Sequence, residues 1–431
     1  MKWRFVISLV VVSMPFASLD AQQPALKEVT LNEAIARALQ VQPVMVQARG
    51  DQRNAGATKM TAIGAYLPQV STGASAARSN VTRVDQTTGR PVPAEYSYTG
   101  SFNASLELFD GFRRIANLRA ASAGSAAAEA EVVNQRFQTI LATKQLFYDA
   151  SAQEDLVRVA AAQVKRAQQQ LQISIDKLHA GSATRSDSLR SQVEYGNARI
   201  ALLQAQAALA TSQANLGRQI GIDASVRAVP DTLLPGPPDT ADLRNAALAS
   251  APLVQQADAQ ASTARAMVWS ARSQYWPSLS VSYSNNRQGV GSPNLPFFDN
   301  YPETFSWRFG VTWPILNGFI REANQVSASV TRDLAEARAS DTRRQVNALL
   351  TQQLAALATA REQITISQDN LAAATEDLRV QNERYRVGAS TILDLLTSQA
   401  ALTQAEVNVV QTRFNYLIAR AQVEAVVGRT L

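Results

Sequence analysis

The sequence predicts a mixed fold of long α-helices and transmembrane β-strands, built twice in tandem. Three observations predict it. Two proline-free tracts, Arg113 to Val229 and Ile315 to the last residue, carry helical patterns far longer than a compact domain accommodates. Strands of period two, with one aromatic and one hydroxyl-rich face, precede each tract. The features of the two halves recur at a nearly fixed spacing, which marks an internal duplication.

The spacing is clearest at two turns. Lys-Leu-His-Ala-Gly-Ser-Ala-Thr-Arg-Ser-Asp (177–187) and Arg-Tyr-Arg-Val-Gly-Ala-Ser-Thr-Ile-Leu-Asp (384–394) place Gly181 and Gly388 207 positions apart, and Asp187 and Asp394 likewise. Each glycine suits a left-handed helix C-cap, where a side chain would clash. Thr184 with Asp187, and Thr391 with Asp394, then restart a helix in a Thr-x-x-Asp arrangement close to a capping box. Upstream, Val157, Val164, Leu171 and Leu178 are spaced by seven, as are Ile364, Leu371, Leu378 and Tyr385. That repeat is a coiled-coil seam, and small residues at its second position (Ala160, Ala167, Ser174) let helices approach closely. Tyr66-Leu67-Pro68 recurs as Tyr275-Trp276-Pro277, and Leu108-Phe109-Asp110-Gly111-Phe112 as Ile315-Leu316-Asn317-Gly318-Phe319.

From the N-terminus, residues 1–21 read as a secretory signal peptide. Lys2 and Arg4 precede an apolar run, Phe5 to Phe16, too short to span a membrane. Cleavage falls after Ala21 or Ala17. Its loss moves the net charge from +6 to about +5. The first repeat occupies 22–221: a helix from Leu31 to about Gly64 kinked at Pro43, a strand pair over about 67–109, and a helical hairpin with its tip at 181–187. Even positions from Tyr96 to Leu108 are mostly apolar and odd ones mostly hydroxyl-bearing. Asp85 to Ala94 reads as the intervening loop. A Pro-rich connector covers 222–240. The second repeat, 241–431, has a helix to about Arg272, a strand pair over about 277–315 interrupted by a loop from Arg287 to Pro302, and a hairpin with its tip at 388–394. Tyr66, Pro68, Tyr275 and Pro277 mark the helix-to-strand crossings.

A half-buried soluble sheet would need a layer over Phe305, Trp307, Phe309 and Trp313, and no segment is suited to supply one. A barrel with lipid outside and water inside accounts for both faces. Four strands cannot close, and open edges in lipid leave backbone groups unpaired at several kcal/mol each. The barrel is therefore shared among copies, and these patterns alone leave two, three or four open.

The layout, with Tyr385, Gly388, Thr391, Ile392, Asp394, Phe414-Asn415-Tyr416-Leu417-Ile418 and Gly428, resembles the TolC-like outer-membrane efflux proteins over nearly the whole mature chain. The resemblance implies a homotrimer. Four strands from each protomer would form one 12-stranded β-barrel, joined to a coiled-coil α-barrel that extends from the outer membrane into the periplasm. It implies an exit duct of a tripartite efflux system, or of type I protein secretion, working with a periplasmic adaptor and an inner-membrane transporter. It puts Gly181 and Gly388 at the periplasmic tip, near which the adaptor docks, and makes Asp394 a constriction residue repeated around a ring. Tyr385 and Asp187 match positions that link neighbouring helices when the tunnel is closed. Two departures stand out: Thr397 occupies the place of a second family aspartate, and Ser390 that of a latch arginine, for which Arg185 or Arg386 could substitute. Asp187 and Asp394 are read either as helix caps alone or as caps that also gate.

Other classes fit poorly. There is no cysteine, which excludes disulfides and thiol chemistry, and the one histidine, His179, has no ligand cluster in the sequence. No metal site, cofactor, glycine-rich phosphate loop or catalytic constellation is expected. Lys and Arg are interspersed with Asp and Glu along the helices, a solvated pattern rather than a nucleic-acid surface. The rival class is a structural coiled-coil or adaptor protein of the envelope, which leaves the aromatic strand faces unused.

Overall fold

The computed structural model describes residues 26–78, 83–84, 87–92, 96–229, 236, 251–290 and 302–431. The expected signal peptide and most of the connector lie outside them. In order, the elements are β1 (Lys27–Thr30), α1 (Leu31–Val41), α2 (Pro43–Gly64), β2 (Gln69–Arg78), β3 (Arg83–Val84), β4 (Pro91–Val92), β5 (Tyr96–Phe109), α3 (Arg113–His179), α4 (Arg185–Gln219) and β6 (Val226–Val229). There follow α5 (Pro252–Arg272), a 3₁₀ turn (Ser273–Tyr275), β7 (Ser278–Val290), β8 (Glu303–Thr312), α6 (Ile320–Arg386) and α7 (Ile392–Val427).

Several boundaries differ from expectation for identifiable reasons. The helix expected over 31–64 is two helices: Gln42 is extended and Pro43 opens the second, its missing N–H costing nothing at a helix start. The long helix α3 starts at Arg113 and runs 67 residues, as does α6; each is roughly 100 Å long. β7 continues to Val290, so its last residues occupy what was read as loop. Within the expected 85–94 loop, β4 pairs with β3. Val226–Val229, read as connector, is a strand in parallel register with Lys27–Thr30.

The main sheet is antiparallel, in the order β2-β5-β7-β8, so the β5–β7 ladder joins the two halves. Its register separates two faces. Phe102, Leu106, Val281, Tyr283, Phe305, Trp307, Phe309 and Val311 lie on one; Ser101, Asn103, Ser105, Ser280, Ser282, Ser284 and Ser306 lie on the other. The β5 register shifts between Glu107 and Phe109, so Leu108 is an extra residue and Phe109 stands opposite Leu279 on the apolar face. Much of that face is open: Trp307 is 62% and Phe309 73% exposed, while Tyr98 on β5 is buried.

The helices form one layer. Beside the sheet the neighbours run α2-α3-α5-α6, and toward the tips α4-α3-α7-α6. Among the described residues there is no single core. Small clusters follow the seams: Phe147, Leu216, Ile220 and Val226 beneath β1; Leu350, Leu357, Tyr416 and Val423 between α6 and α7; Leu378, Tyr385, Ile392 and Leu395 at the second tip. Among the described residues no helix is long and apolar enough to cross a membrane.

Candidate functional site: the helix tips and the helix–sheet junction

Both tips are built alike. Gly181 (φ 73°) and Gly388 (φ 79°) are left-handed. Ser182 N donates to Lys177 O at 2.8 Å, and Ala389 N to Arg384 O at 2.7 Å, closing each helix end. Each restart is a complete capping box: Asp187 N donates to Thr184 Oγ1 at 3.2 Å while Thr184 N donates to Asp187 Oδ2 at 2.9 Å. Thr391 and Asp394 repeat both distances. The Thr184 and Thr391 hydroxyls also donate to these carboxylates, at 2.8 Å. The threonine backbone N–H, then its hydroxyl, hold both carboxyls below their ordinary pKa, with smaller help from Arg190 at Asp187 and Arg384 at Asp394.

Tyr385 is buried among Leu378, Ile392, Leu395 and Leu402. It meets the first hairpin through Lys177, whose Nζ lies 4.1 Å from the ring centroid and donates to Tyr385 O at 2.5 Å. Among the described residues Asp187 and Tyr385 share no hydrogen bond; Asp187 is engaged by Thr184 instead. Thr397 turns its hydroxyl to Leu393 O, 2.8 Å away in its own helix. Arg386 pairs with Glu383 at 3.0 Å. His179 lies in the last turn of α3, and among the described residues no cluster of metal-ligating groups occurs.

The second constellation is the junction between helices and sheet. Pro68 and Pro277 stand just before β2 and β7, where a missing N–H breaks no ladder bond. The Arg114 guanidinium lies 5.0 Å from the Tyr66 ring centroid, and that of Arg321 lies 4.6 Å from Tyr275. Arg114 Nη2 donates to Leu108 O at 3.0 Å, and Arg321 Nη1 to Pro314 O at 2.9 Å. Each arginine thus ties a long helix both to the crossing tyrosine and to the end of the preceding strand. Sequence reasoning marked the tyrosines and missed the arginines, although Arg114 and Arg321 stand 207 positions apart. For Lys177 no sequence signal names Tyr385 as its partner.

Between strand and helix, Gly111 and Gly318 have φ of 66° and 64°, and Phe112 and Phe319 have φ of 69° and 64°. These phenylalanines are the non-glycine residues at positive φ among those described. Left-handed backbone costs an L-residue about 1–2 kcal/mol. Gly111 also admits the close approach of Ser273 O, which a Cβ would meet at 2.5 Å.

The outer membrane efflux protein profile matches residues 34–221 and 243–429, most of the chain. The chain belongs to the outer membrane efflux protein family. Members of this family are outer-membrane channel proteins that reach across the periplasm, which is where this chain is located. Curated relatives include Protein CyaE of Bordetella pertussis, 26% identical over 90% of this chain and 81% of its own length. Outer membrane efflux protein BepC of Brucella suis is 25% identical over 94% of this chain and 87% of its own length. Among solved structures, the outer membrane protein VceC of Vibrio cholerae superposes with a TM-score of 0.78 at 19% identity, covering 93% of this chain and 96% of its own. The fold of this efflux family member is therefore that of a TolC-like channel protomer, long helices joined to a four-stranded antiparallel sheet.

Proposed function

We propose that this chain is one protomer of a homotrimeric exit duct of a tripartite efflux system. The observation that carries the reading is that every layer leaves the same two edges open. β2, α2 and α4 end the sheet and the two helical tiers on one side; β8 and α6 end them on the other. A second copy is the natural occupant. Along α4, Leu189, Val193, Ile200 and Leu203 form a stripe at coiled-coil spacing, each more than half exposed. Ile366, Val380 and Val387 form an exposed stripe on or just beyond the end of α6. Joining edge to edge covers both stripes and pairs the free strands, and three copies supply twelve strands.

In this arrangement the hydroxyl-rich face lines water and the aromatic face meets lipid. The duct conducts passively and takes its substrates from an inner-membrane transporter through a periplasmic adaptor. Similarity to a relative named as an efflux protein supports efflux rather than protein secretion. The tips at Gly181 and Gly388 form the periplasmic end, with Asp187 and Asp394 near the constriction and Tyr385 holding the hairpins together through Lys177. No enzymatic step and no cofactor is part of this reading. Recording of the purified protein in planar bilayers tests it. An ohmic pore without added nucleotide is expected; no conductance at any voltage would contradict the duct.

A further inference from the structure

We propose that Arg308 is the selectivity residue of the membrane half of the duct, repeated as a ring of guanidiniums that favours anionic solutes. The ring rests on the trimeric duct proposed above, with its hydroxyl-rich face lining water. The observation that carries it is an uncompensated charge on that face. The register of the main sheet sets Gln69, Ser105, Ser282 and Arg308 in one row across β2, β5, β7 and β8. On one side of it lies the row Ser71, Asn103, Ser284 and Ser306; on the other, toward the helices, lie Glu107, Ser280 and Gly310. Among the described residues of these strands, the charged side chains on the water face are Glu107 and Arg308. Glu107 is matched by Arg113 at 3.0 Å. Arg308 is exposed and, among the described residues, makes no ion pair or hydrogen bond.

Assembly supplies no counter-charge from the neighbouring strand. β8 is an open edge of the sheet, and joining edge to edge sets it against β2 of a second copy. β2, Gln-Val-Ser-Thr-Gly-Ala-Ser-Ala-Ala-Arg, contains no carboxylate, so no register of that pairing brings one to Arg308. Each copy therefore adds one guanidinium to a wall of hydroxyls. Rings of arginine or lysine favour anions in pores, and a watery lumen with low-dielectric walls focuses the field of such a ring. The guanidinium presents a rigid fork of donors that fits carboxylate and phosphate oxygens. Ser282 stands directly opposite, and Ser306 two residues along the same strand, as further donors. Solutes that carry carboxylate, phosphate or sulfate groups are the class such a ring passes most readily. The acidic tips act separately. The long helices put them roughly 100 Å away, against a screening length of about 8 Å at physiological ionic strength.

Planar-bilayer recording of the full chain under a KCl gradient tests the ring, with Arg308→Lys, Arg308→Gln and Arg308→Glu beside the wild type. The expected reversal potential moves toward that of potassium in Arg308→Gln, moves further in Arg308→Glu, and stays in place in Arg308→Lys. The shift should shrink as ionic strength is raised. Inorganic pyrophosphate gives a second readout. At low salt it should reduce the current through the wild type and Arg308→Lys, and lose that effect in Arg308→Gln. Conducting Gln and Glu variants with the wild-type reversal potential and the wild-type response to pyrophosphate overturn the ring and leave the duct standing. A conducting wild type that pyrophosphate does not affect does the same, without recourse to any variant. Arg308→Lys behaving like Arg308→Gln also overturns the ring, because the charge is then not the cause. Absence of conductance in the wild type overturns the duct itself, and the ring with it.

Discussion

Thr184 and Thr391 each satisfy an aspartate that in turn satisfies them, so removing either hydroxyl breaks a reciprocal pair. Thr184→Ala or Thr391→Ala should cost about 1 kcal/mol of local stability. Hydrogen exchange should show this as faster exchange confined to the first turn of α4 or α7. The same boxes carry a pH signature. Because both carboxyls titrate below their ordinary value in the folded chain, their contribution is fully present above about pH 4 and is lost as the pH falls through the lowered values. Exchange at the tips should therefore rise on acidification below about pH 4 before the helical seams respond. Uniform exchange across the hairpins at low pH would contradict that. The gating role is separable from capping. Asp187→Ala/Asp394→Ala should raise single-channel conductance and weaken block by multivalent cations, whereas unchanged conductance and block would leave these residues as caps. Lys177→Met keeps most of the stem but removes the ammonium from the Tyr385 ring and carbonyl. It should loosen the two tips from each other, read as a higher conductance, while Arg384→Met should do so less, because Arg384 serves its own tip.

At the scale of elements, each return helix closes on a left-handed glycine packed against the start of its repeat. A Cβ on Gly221 would meet Val41 at 2.9 Å, and one on Gly428 would meet Pro252 at 2.6 Å. Gly428→Ala should therefore cost more than 1 kcal/mol, combining strain at positive φ with a clash, and should lower the thermal midpoint. Gly196→Ala, which faces open space, should not. Elements of this kind were legible where one physical rule dominates. The seven-residue spacing from Ile364 to Tyr385 gave the seam between α6 and α7, the alternation from Tyr96 gave β5, and Thr-x-x-Asp gave both restarts. What stayed hidden depends on partners far along the chain. Val226–Val229 is too short to show a period and is a strand only because Lys27–Thr30 lies beside it. The β5 bulge breaks an otherwise regular alternation, so the orientation of Phe109 was invisible. Lys177 and Arg114 read as ordinary surface cations, and only the folded chain shows the rings they cover. Pro43 gave the opposite error: it was read as a kink within one helix because the apolar pattern resumes after it.

At the scale of the molecule, the chain is a helical layer joined to the main sheet, with its cohesion distributed along seams and many aromatic residues of the sheet exposed. Such a layer is incomplete alone. Its open strand edges and its exposed stripes on α4 and α6 call for the same partner, another copy in the same orientation. The efflux family places the chain in the outer membrane, and in the proposed assembly its tiers give a duct with a β-lined mouth and a helical tunnel. The most direct test of this account is the mass of the particle extracted by detergent from outer-membrane fractions, measured with the bound detergent subtracted. A particle of three chains is the predicted result; a monomer or dimer that leaves the membrane without detergent would contradict the shared barrel.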